Sequence, residues 1–292
     1  MDNPLHSALA EQISVLTGTS TITAPLQPIG GGCINHAYRL GDWFIKCNDP
    51  DLLDMFATET LALNEINQYQ QVRAPQPLWH GLAAGHACLI MEYIPLQPLK
   101  GKAEEQLGQQ LAALHQHKQA YFGWHCDNSL GSTLQPNQAD NDWINFFINQ
   151  RLEYQLRLAA EQGYGGRLQQ LGERLLSALP KILAGHTPHP ALLHGDLWSG
   201  NAAMTSDGQP VIFDPACYYG DREADIAMTE LFGGFSRRFY QAYHEAYPLD
   251  DGAPIRFTVY NIYHVLNHLN LFGESYSQQA QNLMDSLLSR LR

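Results

Sequence analysis

Two aspartates and an asparagine in the C-terminal half carry the most specific chemistry in this chain. Asp196 and Asn201 stand in LLHGDLWSGN, and Asp214 follows the apolar run VIF in VIFDPA. This is the spacing by which a kinase catalytic loop supplies one proton acceptor and two magnesium ligands for phosphoryl transfer from ATP. A hard cation takes oxygen ligands, which the amide of Asn201 and the carboxylate of Asp214 offer. Asp196 is then left to accept or orient the proton of the attacking hydroxyl. A lone aspartate is as readily a helix cap, but the joint spacing favours the catalytic reading.

Upstream residues could hold the nucleotide. Lys46 ends the apolar strand WFIK and resembles the kinase lysine that reaches the α and β phosphates and pairs with a helix glutamate. Glu59, in MFATE, is the expected partner, with Glu65 as a rival. Gly30, Gly31 and Gly32 form a loop between two strand candidates, where missing side chains would let backbone N–H groups approach phosphates. No G-x-x-x-x-G-K-[ST] or strand-helix G-x-G-x-x-G occurs, so the P-loop and Rossmann readings fail. Met91, Glu92 and Tyr93 close a later strand and could offer backbone groups to adenine. Cys33, directly after the glycines, is a candidate for reversible oxidation that obstructs the loop or links two chains through a disulfide.

These residues need two kinds of scaffold. Up to about Glu92, short alternating runs predict a small antiparallel sheet: Thr21 to Ile29, His36 to Leu40, Asp42 to Cys47 and Cys88 to Tyr93. Asp51 to Gln70 lacks Pro and Gly and carries a helical stripe, so one main helix packs on that sheet. The prolines of IPLQPLKGK mark a linker, and the boundary falls between residues 1–94 and 95–292. Beyond it, Leu107, Leu111 and Leu114, the stretch Trp143 to Leu158, and the two C-terminal segments 255–271 and 278–291 read as helices. Ala191 to His194, Ala202 to Thr205 and Val211 to Asp214 read as short strands, with a Ser-Asp-Gly turn joining the last two. Asp225, in GDREADIAM, is expected to receive backbone N–H bonds from the catalytic loop, and Asp221 to cap a helix whose N-terminus favours Glu223. The histidines of HTPHPALLH lack a helical metal-binding arrangement; His194 is expected to pack beneath the loop.

Composition narrows the field. With 292 residues, 45% hydrophobic, the chain can bury a sizeable core. A formal charge of -12 without a basic patch argues against nucleic-acid and anionic-membrane partners. The N-terminus has neither a basic start nor an apolar run, so a cytoplasmic location is expected. Five scattered cysteines without a C-x-x-C pair argue for reduced thiols.

GGGCIN, MFATE, FGWHCDNSLGSTLQPN, FFINQRL, LLHGDLWSGN and FDPACYYGDREADIAM together resemble the fructosamine kinase (ketosamine-3-kinase) family, relatives of the aminoglycoside phosphotransferases. The resemblance spans nearly the whole chain. It implies an α+β, protein-kinase-like bilobal fold, with ATP and Mg2+ as cofactors. The implied reaction is phosphorylation of the 3-hydroxyl of a small-molecule or protein-bound ketosamine, whose adduct then falls apart and frees the amine. Asp196 would be the base, Asn201 and Asp214 the metal ligands, Lys46 the phosphate contact, Met91 to Tyr93 the adenine edge, and Trp198 a wall of the acceptor site. The alternative within this chemistry is a hydroxyl kinase of the aminoglycoside or choline type. DPA in place of D-F-G leaves no phenylalanine for an activation-loop switch.

Overall fold

A computed structural model describes residues 3–20, 22–30 and 34–291. Gly31, Gly32 and Cys33 therefore lie outside the described residues, and with them most of the glycine loop and the proposed redox site.

Helix α1 (Pro4–Thr17) starts where Asn3 Oδ1 accepts from Leu5 N–H and proline occupies the first turn. It covers one face of a five-stranded antiparallel sheet of order β1-β2-β3-β5-β4. The strands are β1 (Gln27–Ile29), β2 (His36–Leu40), β3 (Trp43–Asn48), β4 (Pro77–Ala83) and β5 (His86–Glu92). Gly41, at φ 62°, and Asp42 form the two-residue turn that brings Leu40 opposite Trp43. Helix α2 (Leu53–Tyr69) covers the other face. The period of two sorts the side chains between these faces. Ile45, Cys47, Cys88 and Ile90 turn to α1, with Leu9, Ala10 and Ile13. Ala87, Leu89 and Met91 turn to α2, with Phe56 and Leu63.

The sequence missed parts of this layer. Helix α1 was not anticipated, the run from Thr21 narrows to Gln27–Ile29, and β4 lacks clean alternation because it is half-buried at the sheet edge. The expected helix and the strands over β2, β3 and β5 are present to within a few residues.

After Glu92 the chain passes through β6 (Gln97–Pro98), then α3 (Lys102–Leu114), the hairpin β7 (Asn128–Leu130) and β8 (Thr133–Gln135), and α4 (Trp143–Phe147). A π turn, Ile148–Leu152, joins α4 to α5 (Glu153–Glu161), so the expected single helix is continuous but widened. The turn delivers Arg151, fully buried, over the rings of Tyr218 and Phe146 at 4.0 and 4.7 Å. Next come α6 (Arg167–Ile182), β9 (Ala191–Leu193), β10 (Ala202–Met204), β11 (Pro210–Ile212) and β12 (Tyr218–Gly220). The chain ends with α7 (Glu223–Leu231), α8 (Arg237–Ala246), α9 (Ala253–Phe272) and α10 (Ser277–Ser289). Strand β10 pairs with both β11 and β6, while β9 pairs with β12. The loops that leave β9 and β11 thus emerge side by side. None of the described helices is long and apolar enough to cross a membrane.

The turn into α7 is fixed by buried charge. Arg222, not Asp221, stands directly before α7, but Asp221 Oδ1 still accepts from Glu223 N–H at 3.1 Å, while Oδ2 accepts from Tyr260 at 2.5 Å and meets His186 Nε2 at 2.6 Å. Glu223 is more than a dipole partner, because Arg256 grips both of its oxygens at 2.6 and 2.7 Å. Burial opposes charge on His186, but the bond to Asp221 and its charge outweigh this and hold the imidazole above its ordinary value. Burial likewise opposes charge on Asp221, and His186 with Tyr260 holds that carboxyl below its ordinary value. The Asp221 contribution is present above the unfolded carboxyl value of about 3.9 and is lost as pH falls through the folded value. The His186 contribution is present below about 6.5 and is lost as pH rises through the folded value. His186→Gln should therefore lose most stability relative to wild type at about pH 5.5, with the gap narrowing towards about pH 8.5. Urea midpoints of both proteins at the two pH values test this, and a pH-independent gap would remove the charged pair.

Candidate active site

The loop after β9 is held from below. Asp225, buried at the start of α7, accepts from His194 N–H at 2.7 Å and Gly195 N–H at 2.8 Å, as anticipated. His115, at the end of α3, contacts the same carboxylate at 3.2 Å and Tyr243 OH at 2.8 Å. Burial would raise the Asp225 carboxyl, yet His115, His194 and the amide bonds together hold it below its usual range. His194 receives Asp196 N–H on Nδ1 at 3.3 Å and reaches Phe213 O through Nε2 at 3.0 Å. One neutral tautomer satisfies both, and burial accordingly lowers the imidazole pKa. His194 thus ties the loop of Asp196 to the strand end that carries Asp214.

Two backbone features aim the acids. Gly195 has φ 83°, and a Cβ there would lie 2.0 Å from Ala216 O, so only glycine fits. Asp214 itself adopts φ 58°, a left-handed conformation that aspartate tolerates better than most residues. Its Oδ1 accepts from Lys46 Nζ at 2.7 Å, while Glu59 Oε1 accepts from the same ammonium at 2.6 Å. Burial disfavours charge on Lys46, but Asp214 and Glu59 overcome that and keep it protonated. Glu65 is not the lysine's partner; it binds Trp124 and Tyr219.

Asn201 Nδ2 donates to Asp196 O at 2.9 Å and Asp196 Oδ2 at 3.1 Å, leaving the amide oxygen for a cation. Phe213 N–H donates to Asn201 O at 3.1 Å, which sets Asn201 beside Asp214. Oxygen atoms from these two residues fit a hard divalent cation. Burial, then the charges of Asp214 and Asp225, push the Asp196 carboxyl well above its ordinary value, against the bond from Asn201. A carboxylate so placed is a competent proton acceptor.

Lys46, Glu59, Asp196, Asn201 and Asp214 line one cavity of about 520 Å3. One end is walled by Ile29, Ala37, Phe44, Met91, Ile94 and Phe213, an apolar slot suited to a flat ring. Gly30 borders it, and so do Met91 and Glu92, but Tyr93 does not, its ring being covered by Arg39 at 4.1 Å. The N–H groups of Glu92 and Tyr93 already donate to Gln76 O and Asp42 O, both at 2.9 Å. Among the described residues, Ile94 N–H has no protein acceptor, so Ile94, which the sequence did not single out, could donate on this edge.

The other end is walled by Ser129 to Gly131 at the tip of the β7–β8 hairpin, by Asn267, His268 and Leu271 of α9, and by Trp198, 37% exposed. Buried amides seat the hairpin: Asn128 Nδ2 donates to Cys217 O at 2.8 Å, and Gln135 Nε2 to Ala216 O at 3.1 Å. The Gly131-Ser132 pair within DNSLGST, a two-residue turn with Gly131 at φ 66°, was a legible hint of this hairpin. Nothing in the pattern of α9 distinguished His268 or Leu271 from ordinary helix residues.

This fold and site define a protein-kinase-like phosphotransferase. An ADP-bound aminoglycoside phosphotransferase shares the fold alone, at TM-score 0.66 and 12% identity, covering 98% of this chain and 99% of that one. The chain belongs to the fructosamine kinase family, whose model matches residues 5–290. It is 44% identical to a probable ketoamine kinase of Synechocystis over 285 residues, 96% of each chain. To a chloroplastic protein-ribulosamine 3-kinase of Arabidopsis thaliana it is 39% identical over 282 residues, 94% of this chain and 86% of the relative. The crystal structure of a putative fructosamine-3-kinase from Haemophilus somnus superposes at TM-score 0.89, with 28% identity and 98% of both chains covered.

Asp225→Asn sets an amide NH2 against donors that now meet a carboxylate. It should destabilise the protein by roughly 1–3 kcal/mol. A denaturation curve matching wild type would remove Asp225 as the loop's support.

Proposed function

We propose that the protein transfers the γ-phosphoryl group of MgATP to the 3-hydroxyl of a ketosamine, a fructosamine, ribulosamine or related glycation adduct, and so promotes deglycation in the cytoplasm. The observation that carries this reading is the convergence of Asp196, Asn201, Asp214 and the Lys46–Glu59 pair on one cavity, in a chain of the fructosamine kinase family. Residues 1–94 hold the nucleotide and residues 95–292 supply the catalytic loop and acceptor wall. Adenine lies in the apolar slot against Met91 and Ile94, and Lys46 binds the phosphates, with Gly30 at the border of the cavity.

Asn201 and Asp214 would hold Mg2+, which when bound neutralises phosphate charge. Asp196 orients the 3-hydroxyl and accepts its proton as the oxygen bonds to phosphorus and the bond to the ADP oxygen breaks. Trp198 stacks on the acceptor's sugar or cationic amine. Known relatives named for ketoamines and ribulosamine, at 44% and 39% identity, favour a ketosamine over an aminoglycoside or choline.

Turnover of MgATP against fructosamine, ribulosamine and erythrulosamine adducts, kanamycin and choline tests the acceptor class, with the site of phosphorylation read by NMR. A preference for kanamycin or choline would overturn it. Asp196→Ala should lower ketosamine turnover by about 10²- to 10⁴-fold with nucleotide binding retained; near-wild-type turnover would remove the base. Asp214→Ala should weaken magnesium-dependent nucleotide binding itself, so unchanged MgATP affinity by calorimetry would remove its ligand role.

A further inference from the structure

We propose that Glu65 is a positioning residue that fastens α2 to the helical part of the chain and thereby holds Glu59 on Lys46. The proposal rests on the reading of Lys46 and Glu59 as the nucleotide-binding pair.

Glu59 and Glu65 share one helix but lie roughly 120° apart around its axis at 3.6 residues per turn. Glu59 faces the sheet and the cavity, where it takes the lysine. Glu65 faces away from that pair and accepts two donors from beyond the linker, Trp124 Nε1–H at 2.6 Å and Tyr219 OH at 2.7 Å. The Tyr219 proton is committed to Glu65, so Tyr69 OH, 2.9 Å away, donates to Tyr219. Tyr69 is the last residue of α2, and its ring stacks on His117 at 4.0 Å. Gly123 and Tyr219 exchange backbone hydrogen bonds, both at 2.9 Å, so the segments bearing the two donors are fixed to each other.

A carboxylate with one donor can swivel about it, whereas donors on both oxygens set the helix's rotation and height together. Rotating or lifting α2 would break these bonds and withdraw Glu59 from Lys46 in the same movement. The helix is therefore seated before nucleotide arrives, and the lysine meets the phosphates already oriented.

Glu65→Leu removes both acceptors, and the double variant Trp124→Phe with Tyr219→Phe removes both donors while keeping the rings. Each should weaken MgATP binding, read by calorimetry, and raise KM for ATP by about tenfold. KM for the ketosamine should stay within about twofold of wild type, a split that general loosening of the fold would not produce. Glu65→Gln, which keeps one acceptor oxygen, should recover much of the affinity. Should Glu65→Leu fail to fold, the ring-preserving double variant decides. Folded variants that bind MgATP like wild type would overturn the proposal, provided that Lys46→Ala loses affinity. If Lys46→Ala also binds normally, the nucleotide reading falls, and this proposal with it.

Discussion

A single ammonium group, held between two carboxylates from distant segments, is the constraint on which the rest of the structure depends. Lys46 comes from an interior strand of the sheet, Glu59 from the helix behind it, and Asp214 from the far part of the chain. With Lys46 only 7% exposed, its charge is tolerable only while both partners are in place. The sheet must therefore be in register, α2 seated and the loop after β11 turned inward, all at once. Asp214 keeps 47% of its side chain open, so the same carboxylate can also serve a cation.

The rest of the site is supported by polar groups below the loops. Asp225 gathers amide N–H groups and His115, Arg151 stacks on Tyr218, and Asn128 and Gln135 tie the hairpin to the segment between Asp214 and β12. Such a network is stable only when nearly every member finds a partner. It leaves the catalytic loop little freedom to drift from the cavity.

The legible parts of the sequence were those where chemistry and spacing are local. Asp196, Asn201 and Asp214 declare themselves because a short loop and a strand end fix their separation, and Lys46 because it is a lone charge after the apolar run Trp43–Ile45, although the strand runs on past it to Asn48. Glu59 was the expected partner of the lysine and Glu65 its rival on the same helix, and the structure separates them because the two residues sit on different faces of α2. Other features were hidden for physical reasons. Helix α1 buries only a thin stripe, Leu9, Ala10 and Ile13, while Val15 and Leu16 stay exposed and blur its pattern. The π turn at Ile148–Leu152 keeps a helical pattern while shifting Arg151 inward, which periodicity alone cannot reveal. The cavity wall opposite the apolar slot joins a hairpin tip to a helix more than a hundred residues later, and no local spacing records that meeting.

The approach of Gly195 to Ala216 carries a consequence for how this sequence can drift. The gap between the two backbones is smaller than a methyl group, so the barrier to substitution there is geometric and independent of side-chain chemistry. Acids around the cavity can in principle exchange roles with neighbours that carry similar oxygens. A position with no side chain has nothing to exchange. The residue of the catalytic loop least able to vary is thus one that contributes no functional group, and a tolerance map of this protein would mark the site by a silence beside Asp196 as clearly as by the aspartate itself.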